Sequence, residues 1–245
     1  MPQLIAGNWK MNGLTAEARA IAEAVRDRAA GLSCELLVCP PFTQIANVAG
    51  ILQGTGIGVG GQDCHLADAG AHTGDISPAM LRDAGATWVI LGHSERRQGH
   101  AETDELVRQK VEAAQANGLT PIVCVGETDE QRTGGMETEA VGWQISGSLP
   151  KDFRGVIAYE PVWAIGSGRT PTEAQVATMH AFIREELRRQ FPKAGPSIRI
   201  LYGGSVKASN AASLLAVAEV GGALVGGASL VPDDFLAIAR AATGG

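Results

Sequence analysis

The sequence predicts an α/β protein that folds as a single (β/α)8 barrel over residues 1–245. Short apolar runs rich in Val, Ile and Leu alternate with longer amphipathic stretches, as expected for parallel strands covered by helices. Eight such runs occur, and 245 residues is close to the usual length of one barrel. No G-x-G-x-x-G fingerprint follows the first run, so a closed barrel is favoured over a doubly wound open sheet.

The eight predicted strands are short and bounded by glycine or polar residues. They lie at Leu4–Asn8, Leu36–Cys39, Ile57–Gly61, Trp88–Leu91, Pro121–Val125, Val156–Tyr159, Ile198–Leu201 and Ala223–Val225. Helical spacing of apolar residues predicts helices between them, which include Ala16–Ala30, Asp104–Asn117 and Glu173–Gln190.

Local signals mark several helix ends. The string Thr170-Pro171-Thr172-Glu173 predicts a capping box with proline at the first helical position. Ser77-Pro78 repeats the pattern of a cap followed by proline, and Gly118 follows a helix where a C-terminal glycine is expected.

Composition limits the possible functions. The chain has 45% hydrophobic residues, enough for a substantial core, and a net charge of -6, which argues against nucleic acid or an anionic membrane as a partner. Its four cysteines contain no C-x-x-C pair, so they predict buried, reduced thiols and no zinc site. No leader or membrane span is evident, and we expect a cytoplasmic protein.

Candidate catalytic residues follow three of the predicted strands. Asn8 ends the first strand and Lys10 follows it, while His93 follows the fourth strand and Glu160 the sixth. The carboxyl ends of all strands converge at one mouth of a barrel, where catalytic residues are usually found. Taken singly, Asn8, Lys10 and His93 favour the ordinary interpretation, that of a strand-end cap or a surface side chain.

Three later segments suggest a lid and an anion site. Residues 161–171 form a long loop with prolines at its ends and small residues at its centre, which favours a lid over a plain connection. Gly203-Gly204-Ser205 and Gly226-Gly227 follow the seventh and eighth strands, the usual phosphate site of such barrels, although tight turns also use glycine.

Together these motifs resemble the triosephosphate isomerases, a family of TIM-barrel enzymes. The resemblance extends over nearly the whole chain, in the family's order. It is carried by Gly7–Asn12, Gly92–Arg97, Val123–Thr128, Ala158–Gly166, Tyr202–Val206 and Leu224–Leu230.

The resemblance implies interconversion of dihydroxyacetone phosphate and glyceraldehyde 3-phosphate in glycolysis and gluconeogenesis, without a metal or cofactor. Glu160 is then the base that moves a proton between C1 and C2, and His93 is the neutral imidazole at the carbonyl. Lys10 is the cation that offsets the phosphate and enediolate charges, and Asn8 donates to the substrate oxygens. The implied phosphate cradle consists of Gly166, Ser205, Gly226 and Gly227, and the implied supporting residues are Ser94 and Glu95.

The string Ala69–Asp75 resembles the family's interdigitating dimer loop, so Thr73 is expected to contact a second copy and a homodimer is implied. His72 and His100 depart from the aromatic or apolar residues common in the family near this contact. We therefore expect a more polar and pH-sensitive interface. Asp63 likewise replaces a common asparagine.

Two alternatives remain. One is a different phosphate-binding barrel, such as another sugar-phosphate isomerase or a Schiff-base aldolase. The aldolase requires a reactive buried lysine, and Lys10 is the only lysine predicted at a strand end. A catalytically inactive binding protein would typically lack the base or the electrophile. Because Lys10, His93 and Glu160 are all present, we expect an active isomerase.

Overall fold

The computed structural model describes residues 1–242 of the chain. Eight parallel strands close into a barrel in sequence order, and the first strand pairs with both the second and the last. The predicted (β/α)8 fold is therefore confirmed. The predicted domain also includes residues 243–245, which lie outside the described part.

Strand positions follow the prediction closely. The strands are β1 (Leu4–Asn8), β2 (Glu35–Cys39), β3 (Gly58–Gly61), β4 (Trp88–Leu91), β5 (Thr120–Val125), β6 (Val156–Tyr159), β7 (Arg199–Tyr202) and β8 (Gly222–Val225). β1, β4 and β6 match exactly, and the others differ by one residue at one or both ends. β7 begins one residue late because Ile198 ends a 3-10 turn, in which its amide donates to the Ala194 carbonyl at 3.2 Å.

Ten α-helices are described in residues 1–242, and the longer ones cover the outer face of the barrel. They are α1 (Thr15–Arg28), α2 (Ile45–Leu52), α3 (Pro78–Asp83), α4 (Ser94–Gly99), α5 (Asp104–Ala116), α6 (Asp129–Thr133), α7 (Glu137–Ser148), α8 (Glu173–Gln190), α9 (Ala211–Leu215) and α10 (Pro232–Ala241). The predicted bounds of α8 are exact, and those of α1 and α5 agree within two residues.

The predicted cap of α8 is wrong by two residues. Thr172, not Thr170, is the N-cap, and its hydroxyl accepts from the amide of Gln175 at 3.2 Å. Gln175 completes the box by accepting from the Thr172 amide at 2.8 Å, so Pro171 precedes the helix. The cap at Ser77 is confirmed, and Gly118 follows α5 with a φ of 72°, a left-handed conformation that glycine adopts readily.

Alternation along the strands creates two apolar layers. Residues such as Leu4, Ile90 and Ile122 fill the barrel interior, while their sequence neighbours pack outward against the helices. All four cysteines are unpaired, and Cys34 alone is only partly buried, contrary to the prediction that all are buried. No helix in residues 1–242 is long and apolar enough to cross a membrane.

Candidate active site

The carboxyl ends of the strands surround a cavity of about 680 Å³. Side chains from distant parts of the sequence meet there because the barrel closes β8 against β1. The cavity brings together every predicted catalytic and substrate-binding residue, namely Asn8, Lys10, His93, Glu160, Gly166, Ser205, Gly226 and Gly227.

Glu160 follows β6 and is buried, with 1% of its surface exposed. Its Oε1 lies 2.9 Å from Nε2 of His93 and accepts from the Ser94 hydroxyl at 3.2 Å. Its Oε2 accepts from the Ser94 amide at 3.0 Å. Both carboxylate oxygens are therefore engaged, and the predicted supporting residue Ser94 supplies two of the donors.

The environment of Glu160 favours its ionised form. Desolvation acts to raise the pKa of this carboxyl, but attraction to His93 and the hydrogen bonds from His93 and Ser94 outweigh burial. The pKa of Glu160 is consequently lowered, so that a buried carboxylate is available as a base at neutral pH.

The position of His93 immediately before α4 determines its tautomer. Nδ1 accepts from the Glu95 amide at 3.2 Å, so the neutral ring carries its proton on Nε2 and donates it toward Glu160. Burial acts to lower the pKa of His93, and the Glu160 carboxylate raises it above its ordinary value. Protonation at Nδ1 nevertheless requires loss of the hydrogen bond from the Glu95 amide, and the free amides at the start of a helix oppose a positive charge on the ring.

Lys10 is held at the cavity in a left-handed backbone conformation, with a φ of 54°. Its amide donates to Oδ1 of Asn8 at 3.0 Å, and its carbonyl accepts from Nε2 of Gln62 at 2.8 Å. Its ammonium lies 2.5 Å from Oε1 of Glu95, the second predicted supporting residue. Gln62 also donates to the Cys39 carbonyl at 2.9 Å, an anchoring role that the sequence analysis missed.

Gly126 controls the backbone position of Glu160. A Cβ atom at Gly126 would lie 1.7 Å from the Glu160 carbonyl oxygen, so only glycine fits without displacing the chain. The side chain of Gln144 also holds Gly126 in place. Its Oε1 accepts from the Gly126 amide at 2.7 Å, and its Nε2 donates to the Gly126 carbonyl at 3.0 Å. No local sequence pattern indicates the role of either residue, because the close approach depends on the pairing of β5 with β6.

The predicted lid segment, residues 161–171, is anchored at its first half. Trp163 donates from Nε1 to Oε1 of Glu127 at 2.7 Å, and Tyr159 donates to the same oxygen at 3.0 Å. Desolvation raises the pKa of Glu127, which is completely buried. Arg169, later in the segment, donates to the Trp163 carbonyl at 2.7 Å. These contacts define one docked position of the segment.

Thr73 lies on the exposed loop between β3 and α3 and does not line the cavity. On the same loop, potential ligand atoms of His65, His72 and Asp75 lie within 4.8 Å of one another. Nδ1 of His65 accepts from the Ala67 amide at 3.0 Å, so the neutral ring carries its proton on Nε2, the atom that faces Asp75 at 3.8 Å. The ring therefore presents no lone pair to a cation beside Asp75.

Comparison with known proteins identifies the family of this chain. The family profile described as triosephosphate isomerase matches residues 3–242. The chain is 66% identical over 247 residues to a triosephosphate isomerase of Granulibacter bethesdensis, which covers 98% of this chain and 99% of that protein. It is 58% identical to that of Gluconacetobacter diazotrophicus, with 99% of both chains covered.

A solved structure has the same fold. The crystal structure of triosephosphate isomerase from Bartonella henselae superposes with a TM-score of 0.92 at 48% sequence identity, covering 98% of this chain and 99% of that one. Both the sequence and the fold therefore agree along nearly the full length. The chain belongs to the triosephosphate isomerase family of isomerases.

Proposed function

We propose that this chain interconverts dihydroxyacetone phosphate and glyceraldehyde 3-phosphate through an enediolate intermediate. The observation that carries the proposal is the buried pair of Glu160 and His93, 2.9 Å apart, in a cavity that Lys10 also lines. An ionised carboxylate and a neutral imidazole N–H beside a cation are the groups that this proton transfer requires.

Each residue has a distinct part in the reaction. Glu160 removes a proton from one of the two adjacent carbons and returns it to the other. His93 donates from Nε2 to the substrate oxygen that gains charge, and Lys10 offsets the negative charge of the enediolate. Because Ser94 and His93 occupy both oxygens of Glu160 here, its side chain must rotate away from them before it reaches the substrate.

The phosphate end of the substrate lies against the glycine-rich loops that follow β7 and β8. Ser205, Gly226 and Gly227 line that end of the cavity, and a 3-10 turn begins at Gly227. The first backbone amides of a helical turn favour an anion. Closure of residues 161–171 brings Gly166 over the phosphate and excludes water. An enediolate beside a phosphate eliminates the phosphate readily in water, so this exclusion protects the intermediate.

The contacts of the lysines argue against an aldolase. Lys10 is paired with Glu95, and the buried Lys110 is paired with Asp63 and Glu102, outside the residues that line the cavity. A Schiff-base lysine needs a free amine in a desolvated pocket, which neither side chain provides. Lys207 also lines the cavity, but its side chain is exposed to solvent and therefore not desolvated.

We also propose a homodimer of cytoplasmic location. The exposed loop that carries Thr73 protrudes between β3 and α3, and its similarity to the family's interdigitating loop supports a contact with a second copy. In that arrangement Thr73 of one protomer reaches toward Asn8 and Lys10 of the other. Since those two residues line the cavity, dimer formation would brace the active site.

Turnover of glyceraldehyde 3-phosphate in a coupled assay tests the proposed activity. The parent should convert the substrate, and Glu160→Gln should lose about 10²–10⁴-fold in kcat, the usual contribution of a general base. Glu112→Gln, on the exposed face of α5, is the matched control and should retain parental activity. Negligible turnover by a correctly folded parent, or equal turnover by the parent and Glu160→Gln, would contradict the proposal.

A further inference from the structure

The charges that line the cavity are balanced. Among the described residues at its wall, the cations are Lys10 and Lys207 and the acids are Glu160 and Asp234. The chain as a whole carries a net charge of -6, so the overall field repels a phosphate dianion. Attraction must therefore come from local cations. The charge of Lys10 is offset by Glu95 at 2.5 Å, which makes Lys207 the second source to consider.

Lys207 is available for such a role. Its side chain is exposed and forms no ion pair with any residue in the described range 1–242. It lies two residues after Ser205, on the loop between β7 and α9, and lines the same cavity. An unpaired ammonium at the rim is free to interact with an entering anion.

Asn210 fixes the backbone from which this side chain projects. Oδ1 of Asn210 accepts from the Lys207 amide at 2.8 Å, and Nδ2 donates to the Ser205 carbonyl at 3.2 Å. The amides of Asn210 and Ala211 donate to the Lys207 carbonyl at 3.1 and 3.0 Å. The loop is therefore an organised structure that presents Lys207 at a defined place beside Ser205.

We propose that Lys207 is a phosphate-recognition residue, which attracts the phosphate group of the substrate to the cavity rim. The inference rests on the proposed function, because it takes a phosphorylated triose as the ligand. The phosphate keeps its charge throughout the reaction, so Lys207 acts equally on the bound substrate and on the transition state. Its loss should lower kcat/KM and leave kcat unchanged.

Coulomb's law gives the size of the effect. For one positive charge and a dianion separated by about 8 Å at a dielectric constant of about 80, removal of the charge weakens binding about fourfold at low ionic strength. Screening at about 0.15 M salt reduces the factor to about twofold, and at about 1 M salt it disappears. Reversal of the charge changes the interaction energy by twice as much as its removal. The loss of binding is therefore the square of the fourfold loss, about 16-fold at low salt.

The experiment compares kcat/KM for glyceraldehyde 3-phosphate between the parent and Lys207→Gln at about 10 mM, 0.15 M and 1 M ionic strength. Lys207→Glu provides the reversed charge. Lys193→Gln is the matched control, since it makes the same change in net charge at an exposed site that precedes β7, at the opposite end of the barrel. D-glyceraldehyde, which lacks the phosphate, serves as the control substrate.

The expected result is a loss for Lys207→Gln that shrinks with salt, grows with Lys207→Glu, spares kcat and is absent with D-glyceraldehyde and in Lys193→Gln. An active parent with equal kcat/KM in all variants at low salt would overturn the role of Lys207 and leave the proposed function intact. An equal loss with D-glyceraldehyde would also overturn it, because the effect would then be structural. An inactive parent would overturn the proposed function and this inference together.

Discussion

His180 on α8 should make the protein less stable in acid. The side chain is fully buried, its Nδ1 lies 3.2 Å from the Glu219 carbonyl, and its Nε2 has no hydrogen-bond partner within residues 1–242. The ring meets Tyr159 edge-on at 5.9 Å, and the nearby charges of Glu219 and Arg184 act in opposite directions. Burial lowers the pKa of His180 from its ordinary value of 6.5 to about 4.

The sign of the effect follows from proton uptake. The unfolded chain binds a proton at His180 near pH 6.5 and the folded chain only near pH 4, so acid favours unfolding. The stability associated with the neutral ring is fully present above pH 6.5 and is lost as the pH falls toward 4. Between about pH 7.5 and pH 5.0 the loss amounts to about 2 kcal/mol.

Urea unfolding of the parent and His180→Gln at these two pH values, at one protein concentration, measures this loss. Glutamine retains an amide donor for the Glu219 carbonyl but does not titrate. From about pH 7.5 to pH 5.0, the free energy of unfolding of His180→Gln should therefore fall by about 2 kcal/mol less than that of the parent. Thr178→Gln, an exposed change on the same helix that removes no titratable group, should behave like the parent. The same pH dependence in the parent and in His180→Gln would refute the reasoning.

Two further predictions concern the backbone at the active site and the assembly. Gly126→Ala should lower kcat by about 100-fold and destabilise the fold by about 1–3 kcal/mol, because its Cβ would displace the Glu160 carbonyl. Gly99→Ala, whose Cβ meets nothing within 4 Å, is the control, and similar kinetics for both variants would exclude this explanation. In sedimentation equilibrium, Thr73→Arg should shift the proposed dimer strongly toward monomer by burying an unpaired charge, whereas Thr178→Arg on α8 should not. An unchanged mass at micromolar concentration would argue against Thr73 as a contact.

Some elements could be predicted because their signals are local. Residues 4–8, 88–91 and 156–159 are mainly apolar runs that end at a polar residue or within two residues of one, and their strands match the prediction exactly. The N-cap of α8 was harder to predict, because Thr170 and Thr172 both precede the helix at positions where a capping threonine is plausible. The choice of Thr172 depends on Gln175, which reaches back to complete the box.

Within the candidate site, the residue types were predictable and many of their contacts were not. Glu160 and His93 were identified from motifs, and the cavity does bring them together. Gln62 and Asn210 had no distinguishing signal, because each acts through carbonyl or amide groups of other residues, and any backbone offers those groups. The role of Glu127 depends on Trp163, 36 residues away, and on the path of the loop between them.

The sequence by itself determined the alternation of strands and helices, and it located the polar residues at the strand ends, because hydrophobic periodicity and local caps act over a few residues. Only the tertiary structure decided which of those residues meet. The Ser94 amide reaches Glu160, 66 residues later, because the barrel brings the ends of β4 and β6 to one mouth. Gly126 is required for the same reason. The register of β5 against β6 sets the distance between the backbones of Gly126 and Glu160, and no local sequence pattern indicates that distance.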